Sequence, residues 1–117
     1  MPGPIRDAIA AELDAASGAP DAAHRWIALE RAHILSQPWA IAHTKVHWRM
    51  LALALRQRDR TEAVGQVVRL VVAAPGSLSG RYPTGNTGRA RVGLTQPMAM
   101  PSDLELLLRP NPRSSRD

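Results

Sequence analysis

The stretch WIALERAHILSQPWAIAHTKVHWRML, residues 26 to 51, decides the fold. It reads as the end of one helix, a break at Gln37-Pro38 and the start of another. We take about 100° per residue around each segment. Before the break, Trp26, Ile27, Leu29 and Ile34 define an apolar arc; Glu30 and His33 fall inside it, and His24, Arg25 and Arg31 outside. After the break, Trp39, Val46, Met50, Leu53 and Ala54 share an arc; His43 falls between Met50 and Ala54, and His47 at its edge. A second arc of Ile41, Trp48 and Leu55 is also apolar, so this helix is expected to be the central one. Short connections make consecutive helices antiparallel neighbours. An E-x-x-H and an H-x-x-x-H then face a common seam.

Further helices flank this pair. Pro4 suits a first turn, Ile5, Ile9 and Leu13 recur every four residues, and Gly18 suits a C-terminal cap, which predicts a first helix over 4–17. The second is expected over 21–36 with Asp21 as N-cap, and the third over 38–57. A fourth is predicted over 60–74, ending at Pro75-Gly76. Its Val64, Val67, Val68, Val71 and Val72 resemble a strand in composition, but their spacing puts them on one helical arc. The expected fold is all-α: four helices in antiparallel hairpins, an irregular bundle like tetratricopeptide repeats only by analogy. Residues 1–109 form one domain in this reading, with a wrapping Gly/Pro-rich loop over 75–102. Leu104 to Leu108 add a short helix, and 110–117 form a disordered tail.

Composition narrows the function. The 117 residues contain no Phe and no Cys, so disulfides, thiolate ligands and cysteine nucleophiles are excluded. The net charge of +5 comes from fourteen Arg and Lys45, and these are dispersed; Arg56, Arg58 and Arg60 form the tightest group, interrupted by Asp59. A nucleic-acid footprint needs a stripe or an aromatic-interleaved patch, so nucleic acid is not an expected partner. No signal segment and no apolar run near the roughly 18–20 residues of a bilayer span is present, so the chain is expected to be soluble and cytoplasmic with no membrane partner.

Glu30, His33, His43 and His47 are the candidate ligands. Measured from the Pro38 turn at about 1.5 Å per residue, His33 and His43 lie about 6 and 8 Å along their helices, Glu30 about 10 Å and His47 about 14 Å. Three imidazoles and a carboxylate suit Zn, Fe, Co, Ni or Cu ions; Met50, Met98 and Met100 add thioethers suited to Cu(I). A di-iron centre needs a second E-x-x-H and two further Glu, which the chain lacks. The same cluster also reads as a structural polar network, since a buried carboxylate needs a partner, or as a metal-free acid–base site. The segment GRYPTGNTGR, 80–89, offers glycines and arginines for an anion nest but lacks the Lys and spacing of a P-loop; a wrapping loop with Thr84 and Asn86 over a pocket mouth is the better reading. No Gly-x-Ser-x-Gly elbow is present.

WIALERAHILSQP, then HTKVHWRML and VGQVVRL, with PTGNTG and TQPMAMP further on, resemble a family of small bacterial proteins classed as domain of unknown function 3703, over about residues 5–108. The resemblance carries no established activity. Family members occur near heavy-metal resistance genes, so the resemblance implies a place in metal handling. The expected function is a helical protein binding a transition metal through the Glu/His cluster, accessory to metal resistance. The alternative is a non-enzymatic interaction module with a protein partner or a second copy, its cluster a structural network.

Overall fold

A computed structural model describes residues 1–94 and 96–109. The described residues form five helices and no strand: α1 Gly3–Gly18, α2 Ala22–Ser36, α3 Ala40–Arg56, α4 Arg60–Ser79 and α5 Ser102–Leu108. The expected disordered tail, 110–117, lies outside the described residues. Local chemistry sets the helix starts. The Asp21 carboxylate accepts from His24 N at 2.9 Å, and Asp59 accepts from Glu62 N at 3.0 Å, so each caps a first turn.

α1 packs on α2 and α3 on α4, with α2 against α3 joining the two hairpins and α5 lying across α1 and α2. One apolar core gathers Ala16, Trp26, Leu29, Val46, Met50 and Leu53. A second gathers Ile5, Ile9, Ile34, Leu35 and Leu104, with Trp39 and Met100 against it. Arg31 ties α2 to its neighbours through Glu12 of α1, at 2.8 Å, and Asp103 of α5.

One expectation is corrected. α4 runs through Pro75 to Ser79 rather than stopping at Ala74. A proline removes one helical hydrogen bond, but beyond it Ser77 Oγ donates to Gln37 O at 2.6 Å. The helix ends only where Gly80 takes φ 70° and Arg81 N reaches Gly76 O at 3.0 Å, a left-handed glycine cap. α3 is central, packed against both α2 and α4, but its second apolar arc is open. Ile41, Trp48 and Leu55 are 74%, 59% and 62% exposed. α4 is turned the same way: Glu62, Gln66, Arg69 and Ser77 are buried, while its valine arc is exposed, with Val71 and Val72 at the edge of a cavity. The polar face of α4 is occupied by the site, which leaves its apolar face outside.

Candidate metal centre

His33 stands near the end of α2, and His43 and His47 stand one turn apart on α3. A four-residue step keeps the latter two on one face, and the Pro38 break folds α2 back so that His33 meets them. All three are buried. Their Nε2 atoms form a nearly equilateral triangle: 3.0 Å from His33 to His43, 3.1 Å from His33 to His47, and 3.1 Å from His43 to His47.

The opposite ring nitrogens fix the tautomers. His33 Nδ1 lies 2.6 Å from the Asn86 carbonyl, which can only accept. His43 Nδ1 lies 2.8 Å from Ser77 Oγ, whose single hydrogen goes to Gln37 O. His47 Nδ1 lies 2.7 Å from Gln66 Oε1; the Gln66 amide nitrogen donates to Glu62 and to Gly88 O, at 3.0 and 2.8 Å. Each Nδ1 therefore carries the hydrogen, and each Nε2 presents a bare lone pair. The short Nε2 contacts cannot be hydrogen bonds, since none of the three nitrogens has a proton to donate. Burial, then the charges of His47 and His43, pushes His33 well below the ordinary imidazole range. Burial, then His47, pushes His43 down to about 4; burial takes His47 to about 4 against the opposing Gln66 hydrogen bond. At neutral pH the three rings are neutral donors, a group that can hold a metal ion.

Glu30 is placed elsewhere. Its carboxylate lies 3.3 Å from Arg89 Nη1, and the same guanidinium reaches Glu62 through Nε at 2.9 Å and stacks 3.8 Å over the Trp26 ring. Burial raises the Glu30 carboxyl, with Arg89 opposing. The structure thus brings together His33, His43 and His47 and separates Glu30 from them. His24 is on the surface, beside Asp21. Met50 is in the first core and Met100 on the second. Thr84 is exposed, whereas Asn86 is buried under the cluster. The residues that orient the rings, Gln66, Ser77 and Asn86, had one signal in sequence: Glu62, Gln66 and Arg69 recur at helical spacing opposite the valine arc.

The triad opens on a cavity of about 800 Å³. Arg69 lines it together with the three histidines, and Val72, Ala73, Pro83, Leu94 and Pro97 give it apolar walls.

Fold and site define an all-α protein of paired helices whose buried histidines share one focus at the head of a cavity. The chain belongs to the DUF3703 family, described as a protein of unknown function, whose model matches residues 4–108. Neither the curated proteins nor the solved structures contain a match to the chain. Among the described residues no helix is long and apolar enough to cross a membrane.

Proposed function

We propose that this chain binds one divalent transition-metal ion through Nε2 of His33, His43 and His47 and serves in metal handling. One observation carries the reading. Three lone pairs converge at 3.0–3.1 Å while every ring N–H is committed to another acceptor. Such a focus is repulsive without a cation, so a structural polar network is the poorer reading. A proton is a poor occupant, because burial holds these rings neutral. An ion about 2.0–2.1 Å from each nitrogen, the usual metal–imidazole length, would subtend N–metal–N angles of roughly 95–100°. That lies between octahedral and tetrahedral geometry and suits Zn²⁺, Co²⁺, Ni²⁺, Fe²⁺ or Cu²⁺.

The surroundings support the same reading. Metal-ligating histidines usually give their second N–H to a carbonyl, carboxylate or other acceptor, which holds ring and tautomer in place. Here all three do so. Three protein ligands with space beyond them leave a position for an exogenous ligand, the pattern of reactive or exchanging sites rather than closed structural ones.

The test is a metal titration of untagged protein by calorimetry and thermal melting. We expect one equivalent of Zn²⁺ or Co²⁺ to bind and to raise the melting temperature by mass action. His43→Ala is expected to lose most of that affinity while staying helical. No uptake of any of the five ions, or equal uptake by His43→Ala, contradicts the proposal.

A further inference from the structure

The cavity beside the triad is cationic. Arg69 and Arg81 line it with the three histidines, and among the described residues no Asp or Glu does. Arg69 is 7% exposed. Two of its five N–H groups reach backbone carbonyls, Nη1 to Gly65 O at 3.2 Å and Nη2 to Val92 O at 2.5 Å. Among the described residues it has no carboxylate within ion-pair distance. The nearby acid Glu62 is spent on Arg89, Gln66 Nε2 and Ala90 N. A buried guanidinium without a counter-ion is costly, and an ion held by three neutral imidazoles would add two further positive charges to the same cavity.

We propose that the cavity takes a carboxylate-bearing organic acid, its head group shared between the metal and Arg69; this rests on the metal reading above. Guanidinium groups bind carboxylates through paired N–H donors, and a low-dielectric pocket strengthens the contact. The walls select the rest of the ligand. Val72, Ala73, Pro83, Leu94 and Pro97 offer an apolar lining, and the cavity volume exceeds what a bare inorganic ion needs. An acid with an apolar body fits both halves.

The experiment uses the full chain loaded with Co²⁺, its cobalt content measured on the same sample. Acetate, butyrate and benzoate are titrated while the visible cobalt bands are followed, with chloride and inorganic phosphate as comparison anions. The carboxylates are expected to shift the bands saturably, benzoate binding on the order of tenfold tighter than acetate as apolar area is buried. Arg69→Gln is expected to weaken benzoate on the order of tenfold with cobalt still stoichiometric. Cobalt bound but bands unmoved by every acid overturns this inference and leaves the metal reading standing. So does chloride or phosphate binding as tightly as benzoate. A chain that takes up no cobalt overturns both. The acid series on the unaltered chain decides even if Arg69→Gln does not fold.

A second, independent observation concerns the outer face of the α3–α4 hairpin. Ile41, Trp48 and Leu55 recur every seven residues along α3, and Val64, Val71 and Leu78 do so along α4; all six are exposed, with Val67 beside them. Each stripe lies about a quarter-turn or more around its helix from the residues that join the pair. Because the helices are antiparallel, both stripes rise on the same side. The seven residues are 51–80% exposed, and a standard-size complex takes roughly 800 Å² from each partner.

We infer that a second copy of this chain docks on this face. Seven-residue spacing is the register of helix-on-helix packing, and a two-fold axis through an antiparallel hairpin brings like stripes together as a four-helix bundle. Sedimentation analysis of the full chain is expected to show a dimer, reduced to a folded monomer by Trp48→Glu or Val64→Glu. Because the chain has no cysteine, Val67→Cys is also expected to cross-link under mild oxidation and Ala11→Cys on α1 is not. A single-chain mass up to sub-millimolar concentration, or equal cross-linking at both positions, overturns the inference.

Discussion

Each histidine of the triad is set by one neighbour on its far nitrogen, and His33 also by a contact on its ring. For His33 the ring contact is Gly88, at φ 80°, where a β-carbon would stand 2.6 Å from His33 Cδ2 and 2.8 Å from Nε2. A left-handed backbone already costs a residue with a side chain about 1–2 kcal/mol, and here the added methyl also meets the ligand ring. We predict that Gly88→Ala destabilises the fold by about 2 kcal/mol or more and weakens metal binding. Urea unfolding and metal titration of the variant check this; wild-type values in both contradict it. The three histidines were legible in sequence because helical phase alone puts them on apolar arcs. The place of Glu30 was not. Phase put it on the same arc, but Arg89, 59 positions away in a glycine-rich loop, holds its carboxylate. No local spacing reports a loop contact of that kind.

At the scale of the helix, α4 carries the orienting shell. Gln66 links His47 to Glu62 and to Gly88 O, and Ser77 links His43 to Gln37 O at the α2–α3 turn. Replacing Gln66 by Leu leaves the His47 Nδ1–H without its acceptor and the Glu62 carboxylate short of a donor. Metal affinity is expected to fall about 10–100-fold, the usual cost of a lost outer-shell partner, with the helix content unchanged by circular dichroism. Undiminished affinity contradicts the role assigned to Gln66. The start of α2 could be read from Asp21 as N-cap, and α4 begins at Arg60 as expected. The end of α4 could not, because Pro75 is a local stop signal and the features that override it, Ser77 on Gln37 O and the Gly80 cap, depend on the packed structure. The valine arc was also legible as an arc. Its direction was not, since periodicity gives a face and not the side on which that face lies.

At the scale of the whole molecule, the buried neutral triad links folding to pH. In the folded chain His43 and His47 protonate near 4, and in the unfolded chain near 6.5. Between those values the unfolded chain binds more protons. Stability of the metal-free protein is therefore fully present above about pH 6.5 and falls as pH drops toward 4. Each histidine contributes up to about 1.4 kcal/mol per pH unit in that window. Urea unfolding at pH 7.5, 6 and 5 is expected to show this loss, and His43→Gln to flatten it. A profile unchanged between pH 7.5 and 5 contradicts it.

The most direct measurement is an anomalous-difference map from crystals of untagged protein grown with Co²⁺ or Zn²⁺. The account predicts one ion per chain, about 2.0–2.1 Å from Nε2 of His33, His43 and His47, with Glu30 still on Arg89. An ion held elsewhere, or no anomalous peak between the three rings, would contradict it.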